Sequence, residues 1–316
     1  MKKIKLGRTN LVVSRLCFGS LTVGPLQADL PFEEGARVIA AAFHGGVNFI
    51  DTAKLYKTYP YIRRAMELSK GKEIIISSKS YDYTYEGMKE SLREALEELG
   101  IKKLGIFSLH EQESCHTLRG HGDALEYLIE AKKQGLIEAI GVSTHAIEVV
   151  QAISNMDNID VIHPIINIKG LGILDGTIDK MLEAIEKAYK RGKGIYGMKI
   201  LGGGNLMGDA IKCIEFALSM PYLHSIAIGM QTLDEVAANI EMFEGHRPKT
   251  ALLERLSSRT KKLHIDFWCE GCRKCSEACK QGALTMKDGK AVVNKSKCIL
   301  CGYCSAYCPL FCIKIV

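Results

Sequence analysis

The stretch Ile74-Ile-Ile-Ser77, followed by Glu86-Gly-Met-Lys-Glu-Ser-Leu-Arg-Glu-Ala-Leu-Glu-Glu-Leu99-Gly100 and then Leu104-Gly-Ile-Phe-Ser-Leu109, holds one complete unit of the fold. Two short apolar runs flank a segment in which Met88, Leu92, Ala95, Leu96 and Leu99 recur at helical spacing, with charges on the opposite side. Such a stripe predicts an amphipathic helix, and Gly100 supplies a left-handed C-terminal cap. The flanking runs read as buried strands. Strand, helix, strand is the local rule.

The rule repeats outward in both directions. Strands are predicted at 15–18, 48–50, 74–77, 104–109, 139–142, 161–166, 194–198 and 225–228. Helices are predicted near 33–44, 61–69, 86–99, 123–134, 146–154, 177–190, 209–219 and 233–242, with Gly135 and Gly192 ending theirs as Gly100 does. Eight strand–helix units in about 240 residues predict an α/β protein, a (β/α)8 TIM barrel. An open doubly wound sheet is the rival. Against it, no G-x-G-x-x-G stands at the first strand–helix turn. Polar residues also gather just after many different strands, positions that a barrel brings to one mouth. Residues 2–13 alternate apolar and polar around Gly7-Arg-Thr-Asn10, a hairpin signal.

With 316 residues, 47% of them hydrophobic, the chain can bury one large core and a small one. No apolar run has the length of a membrane span. Met1-Lys-Lys-Ile-Lys5 is basic but lacks the apolar core and cleavage site of a secretory signal. These features predict a soluble cytoplasmic protein without a membrane partner. The net charge of +6 comes from 42 Lys and Arg spread along the chain. Only Arg255 to Lys262 is locally basic, and it reads as a solvated linker helix, not a nucleic-acid patch.

The last fifty residues follow another pattern: Cys269-Glu-Gly-Cys272-Arg-Lys-Cys275-Ser-Glu-Ala-Cys279, then Cys298-Ile-Leu-Cys301-Gly-Tyr-Cys304-Ser-Ala-Tyr-Cys308-Pro309. Two copies of C-x2-C-x2-C-x3-C predict two 4Fe–4S clusters, the fourth cysteine of each copy completing the other's ligand set. One set is Cys269, Cys272, Cys275 and Cys308. The other is Cys298, Cys301, Cys304 and Cys279. Structural zinc is the alternative, but zinc sites come as two separated C-x2-C pairs. Cys312 reads as buried packing, and Cys17, Cys115 and Cys213 as non-ligands. The segment resembles a two-cluster ferredoxin domain. Gly282-Ala-Leu284, the turn Lys287-Asp-Gly-Lys290 and Cys308-Pro309 carry the likeness, while Lys280 stands where that family has proline. Three parts are therefore expected: a barrel at 1–244, a connector at 245–263 containing Gly245 and Pro248, and a small α+β ferredoxin-type domain at 264–316. The small domain is short of apolar residues, so the clusters are expected to supply much of its folding energy.

Four polar residues stand where predicted strands end: Asp51 in Asn48-Phe-Ile-Asp51, Tyr56 on the following loop, Lys79 in Ile75-Ile-Ser-Ser-Lys79, and His110 in Ile106-Phe-Ser-Leu-His110. Singly, each has an ordinary structural explanation; together, at consecutive strand ends, they read as a catalytic group. Here residues 1–242 resemble an aldo-keto reductase, whose Asp, Tyr, Lys and His tetrad maps onto Asp51, Tyr56, Lys79 and His110. The stretch from Gly7-Arg-Thr to Gly19 and Gly141-Val-Ser143 agree with that family too. With the cysteine-rich tail, the chain resembles the iron–sulfur branch of the superfamily. The resemblance implies an oxidoreductase that interconverts a small carbonyl compound and its alcohol with NAD(H) or NADP(H). Tyr56 would donate the proton, Lys79 would lower the phenol's pKa, Asp51 would hold Lys79, and His110 would orient the carbonyl.

The nucleotide positions implied by the same resemblance are Ser143 and Thr144 after strand five, and His163 and Asn167 on strand six. Met198, Lys199 and Leu201 follow strand seven; Gly229, Gln231, Glu235 and Asn239 follow strand eight. Several depart from the family pattern. His163 takes the place of Gln, Met198 that of an aromatic, Lys199 that of Ser, and Gly229-Met-Gln-Thr232 carries no cation for a 2′-phosphate. Lys199 with Gly202-Gly-Gly204 would cradle a phosphate or a carboxylate, or the glycines permit a tight turn. The loop 109–121, with three His, two Glu and one Arg, would bind a polar substrate, dock the C-terminal unit, hold a metal through His116 and His121, or be plain solvated surface. A nicotinamide moves two electrons as hydride and a cluster moves one, so coupling them needs a flavin or a radical. No flavin signature is present, though barrels bind flavin phosphate without a strong motif. Three readings remain open: clusters that relay electrons between a redox partner protein and the barrel, clusters that only stabilise, and an electron-carrier or docking subunit whose barrel site is vestigial.

Overall fold

A computed structural model describes residues 1–258 and 261–316, so residues 259 and 260 of the basic stretch 255–262 lie outside the described residues. The N-terminal hairpin pairs β1 (Lys3–Lys5) antiparallel with β2 (Val12–Ser14), Ile4 opposite Val13. At its turn Gly7 has φ +56, and a Cβ there would lie 2.3 Å from the Gly194 nitrogen, so only glycine fits.

Eight parallel strands then close a barrel: β3 (Leu16–Gly19), β4 (Phe49–Asp51), β5 (Ile75–Ser80), β6 (Leu104–Leu109), β7 (Ile137–Thr144), β8 (Val161–Pro164), β9 (Gly194–Gly197) and β10 (Ser225–Gly229), with β10 returning to β3. Around them run α1 (Phe32–His44), α2 (Tyr59–Leu68), α3 (Tyr85–Leu99), α4 (Cys115–Gly120), α5 (Gly122–Lys133), α6 (Ile147–Ser154), α7 (Ile178–Lys190), α8 (Ala210–Leu218) and α9 (Leu233–Phe243). The apolar stripe of α3 is buried, Thr84 caps its start by accepting from the Gly87 N–H, and Gly100 ends it at φ +68. Two cores result. A large one lies between strands and helices. A small one plugs the barrel floor, where Leu6 and Val13 of the hairpin pack on Phe49, Ile106, Val161 and Tyr196. Because the hairpin closes the floor, the C-terminal strand ends are the open end, where a barrel builds its site.

Two local differences from expectation have physical causes. Strand β5 runs on to Ser80, placing Lys79 inside the strand instead of beyond it. The polar loop after β6 contains the short helix α4, nucleated by a capping box between Ser114 and Thr117. There His121 Nδ1 bonds the Thr117 carbonyl at 2.8 Å, and Arg119 bonds His116 Nδ1 at 2.7 Å. These histidines serve the helix, and among the described residues no group of three or more His, Cys, Asp or Glu converges on a metal ion.

Helix α10 (Thr250–Ser257) leads into the C-terminal unit: β11 (Leu263–Ile265), α11 (Lys274–Ala278), β12 (Leu284–Lys287), β13 (Lys290–Val293), α12 (Tyr303–Ala306) and β14 (Ile313–Ile315). Strands β11 and β14 pair antiparallel, as do β12 and β13. Its core is small: Leu263, Leu284, Ala291 and Ile313 packed with Cys275 and Cys304. This unit sits over the barrel mouth. Asn205 Nδ2 donates to the Ile313 carbonyl at 3.1 Å, and Phe311 rests on Gly172, where a Cβ would meet its ring at 3.0 Å. The Gly202–Gly204 turn has left-handed backbone at all three glycines. Its purpose is close approach: a Cβ on Gly204 would lie 1.8 Å from the Ile315 carbonyl oxygen. No helix among the described residues is long and apolar enough to cross a membrane.

Candidate active site and cluster cradle

The ends of β4, β5 and β6 bring Asp51, Lys79 and His110 together, and the single turn of 3₁₀ helix at Lys54–Tyr56 folds Tyr56 over them. The Lys79 ammonium donates to both Asp51 oxygens, at 2.9 and 2.8 Å, and to the Thr52 carbonyl at 2.6 Å. Its side chain is 1% exposed, so this is a fully desolvated ion pair. Asp51 also accepts from Tyr196 of β9 at 2.9 Å, and Ser77 and Tyr196 share a bond of the same length. His163 of β8 stacks on Tyr196 with centroids 3.8 Å apart, donates from Nδ1 to the Tyr196 carbonyl at 2.7 Å, and brings Nε2 to 3.7 Å from Asp51. Tyr196 was not among the residues singled out from sequence. A tyrosine inside an apolar strand reads as core until the barrel closes and aims its hydroxyl at Asp51.

Tyr56 Oη and His110 Nε2 lie 3.5 Å apart. The His110 Nδ1 atom is buried with no partner among the described residues. An unpaired buried N–H costs more than an unpaired nitrogen acceptor, so the proton is assigned to Nε2, facing Tyr56. Burial, then the Lys79 charge, holds His110 well below the usual histidine range, so the ring is neutral. The Tyr56 phenol departs from expectation. Burial raises it well above 10, and the charges of Asp51, Glu111 and Asp266 add to that. Lys79 does not outweigh this, because its ammonium is committed to Asp51 and Thr52 and lies 5.0 Å from the ring centre. Tyr56 is therefore a protonated donor at neutral pH.

The tetrad lines a cavity of about 580 Å³. All the positions expected to meet a nucleotide line it except Thr144 and Asn167. Thr144 instead bonds the Gln112 carbonyl at 2.5 Å, and Asn167 ties down its own loop through both chain groups of Leu171. Ser143 accepts from the Glu111 N–H at 2.8 Å. Lys199 bonds His145 Nε2 at 2.9 Å, and His145 faces Glu111 at 3.4 Å. Burial and the Lys199 charge push His145 down to about 3. Lys199 and Glu111 both have left-handed backbone, an uncommon conformation for residues with a Cβ that clusters at functional sites. The cavity has room for a sizeable ligand, and in its wall Asn239 presents a buried oxygen with no partner among the described residues.

The C-terminal unit brings cysteines of both copies close together. Burial raises the Cys275 thiol, and Cys308, Cys269 and Cys272 raise it further, which places these four together. Cys304 is raised to about 11 by burial and then by Cys301, Cys275 and Cys279. A hollow lined by Cys269, Cys272, Cys275 and Cys308, with Cys312, Met286, Ala291, Leu310 and Ile313 also in its wall, would cradle the first set. The donors fit a four-iron, four-sulfide body, which needs sulfurs around a space and not at one point. Cys312 is buried, and its N–H donates to the Cys308 sulfur at 3.2 Å. Cys17 and Cys213 are buried in the barrel, away from these sets, and Cys115 begins α4.

Known proteins agree with this architecture. L-galactose dehydrogenase of Arabidopsis thaliana is 22% identical over 284 residues, 76% of this chain and 88% of that protein. Methylglyoxal reductase DkgA of Escherichia coli (strain K12) is 23% identical over 177 residues, 54% of this chain but only 64% of that protein. The holo form of aldo-keto reductase AKR11C1 from Bacillus halodurans superposes with a TM-score of 0.65 over 81% of this chain and 95% of that one; at 18% identity this likeness shows the fold. Residues 262–309 match the 4Fe-4S dicluster domain. Residues 15–212 match the Aldo/keto reductase family across more than half of the chain, and the protein belongs to that family, as an oxidoreductase carrying an iron–sulfur domain at its C-terminal end.

Proposed function

We propose that the protein interconverts a small carbonyl compound and its alcohol at the Tyr56 end of the cavity, using NAD(H) or NADP(H), in the cytoplasm. The observation that carries this reading is the pairing of a protonated phenol with a neutral imidazole N–H, 3.5 Å apart, on the wall of a cavity of about 580 Å³. A carbonyl oxygen between Tyr56 Oη and His110 Nε2 would accept from both. A bound dihydronicotinamide supplies the hydride to the carbonyl carbon. As the C=O double bond becomes an alkoxide, Tyr56 gives it the phenolic proton, and the negative charge passes to the tyrosine oxygen. The Lys79 ammonium, held near the ring by Asp51, stabilises that charge in a dry site where Coulomb terms are large. His110 keeps the oxygen in line. In the reverse direction the same groups return the proton. On this reading the barrel ends near residue 244, a connector runs to 263, and 264–316 is the cluster domain.

The test is Tyr56→Phe, which removes one hydroxyl from a buried ring. Carbonyl turnover with NADH or NADPH is expected to fall by 10² to 10⁴-fold, with folding intact. Turnover at the wild-type rate would sink the assignment.

A second reading has an observation of its own. Phe311, three residues after the cluster ligand Cys308, brings its ring to 6.3 Å from His145 and 5.2 Å from the Lys199 ammonium. The C-terminal unit thus reaches the cavity wall, which supports single-electron exchange between the first cysteine set and the barrel, with a redox partner protein at the other end. Anaerobic titration of the cluster-loaded protein with NADH and NADPH, followed by low-temperature EPR, separates the readings. Cluster reduction would join nucleotide and clusters. Unchanged spectra would leave hydride transfer apart from them.

A further inference from the structure

The cavity belongs to both parts of the chain. Its walls at the tetrad end are barrel, but Lys261, Lys262, Trp268 and Lys314 to Val316 roof the remainder. The roof is pinned at two places: Lys262 and Val316 exchange N–H and C=O bonds of 2.8 and 3.0 Å, and β14 seats on the Gly202–Gly204 turn. The stem of Lys314 crosses Gly203, where a Cβ would meet its Cδ at 2.6 Å. Its ammonium lies 3.9 Å over the Phe311 ring centre and 3.5 Å from Asp266.

The distribution of charge there needs explaining. The barrel's own turn after β10, Gly229-Met-Gln-Thr232, has no cation. The roof adds three ammonium groups, Lys261, Lys262 and Lys314, to Lys199 of the barrel wall. Facing them are the carboxylates Glu111 and Glu235 in the cavity and Asp266 beside Lys314. Lys79 and Asp51 neutralise one another. The roof therefore brings lysines to a half-enclosed space in which the barrel turn after β10 supplies none. Burial, then the Lys199 charge, pushes Lys314 down to about 8 although Asp266 opposes this, and burial lowers Lys199 against Glu111 and Asp266.

We infer that the C-terminal segment completes the dinucleotide groove, with Lys261, Lys262 and Lys314 holding the pyrophosphate of a nicotinamide dinucleotide in place of the cation missing from the barrel. This rests on the reading that the cavity takes such a nucleotide. The ligand class follows from the site: an elongated dianion, its reactive end at Tyr56 and its charged middle under the roof, where ammonium groups make charge-assisted bonds to phosphate oxygens. The C-terminal unit is then a fixed roof of the nucleotide site as well as a cluster carrier.

The experiment is anaerobic isothermal titration of the full-length, cluster-loaded protein with NADH and with NADPH, for the wild type, Lys261→Glu/Lys262→Glu and Lys314→Met. The first variant changes a half-exposed and an exposed side chain, so it keeps its fold and iron content. It is expected to bind both nucleotides about tenfold more weakly or worse, because both carry the pyrophosphate. Lys314→Met should act in the same direction, and the salt dependence of binding should flatten in both. Affinity unchanged within about twofold in the double variant, with wild-type binding intact, overturns the lysine assignment and leaves the nucleotide reading standing. Absence of binding in the wild type overturns both.

Discussion

Replacing Lys79 by methionine keeps the length of the side chain and deletes its charge. In the native protein that charge makes three hydrogen bonds, two to Asp51 and one to the Thr52 carbonyl, in a site from which water is excluded. Removing one member of a buried pair costs about 3–5 kcal/mol, since the other charge stays buried and uncompensated. Asp51 would keep its 2.9 Å bond from Tyr196 and would still face His163 at 3.7 Å, so the lower end, about 3 kcal/mol, is expected. For a barrel of this size each kcal/mol lowers Tm by about 2–4 °C, giving a fall of roughly 6–12 °C. The assay is thermal unfolding of the cluster-loaded protein under anaerobic conditions, followed by far-UV circular dichroism. Asp51→Asn/Lys79→Met completes the cycle. It leaves no isolated charge, so it should cost much less than the two single changes summed, with a coupling of about 2–3 kcal/mol. A Lys79→Met protein within about 1 kcal/mol of the wild type, or two changes that simply add, would refute the claim that this pair is desolvated and mutually dependent.

Three other outcomes are expected. Iron and sulfide analysis of anaerobically prepared protein should give about eight of each per chain, and Cys312→Ala should leave both counts unchanged because the proposed ligand sets do not include Cys312. Gly204→Ala should loosen the C-terminal unit, since a Cβ at φ +86 would lie 1.8 Å from the Ile315 carbonyl; faster proteolytic release of that unit than in the wild type reads this directly. Acid should destabilise the barrel. Burial, the larger cause in each case, holds His145 at about 3 and His163 and His224 at about 4 in the folded state, against about 6.5 unfolded. The unfolded chain therefore takes up these protons first. The stability they confer is present above about pH 6.5 and lost as pH falls from there toward about 4, approaching 1.4 kcal/mol per group and pH unit. Urea midpoints at pH 7.5, 6.5 and 5.5 that do not fall would contradict their buried neutral state.

What the sequence determined by itself is what depends on local spacing. A 3.6-residue stripe, a glycine after a helix and a buried apolar run are properties of neighbouring residues, so every barrel strand and its helix stood within a few residues of its predicted place. Helix α4 was not seen, because its start rests on a Ser114–Thr117 capping box inside a polar loop and not on an apolar period. The eight cysteines were legible for the same local reason, as were Asp51, Lys79 and His110 at strand ends. Only closure of the barrel decided the rest. Tyr196 lies 145 residues from Asp51 along the chain and 2.9 Å from it in space. The Tyr56 phenol goes up and not down because burial and three carboxylates outweigh a lysine already committed elsewhere. And the glycines at 202–204 looked like a phosphate loop or a free turn, whereas they admit a strand that arrives from more than a hundred residues later. Burial, charge and close approach are sums over distant neighbours, and no window of sequence contains them.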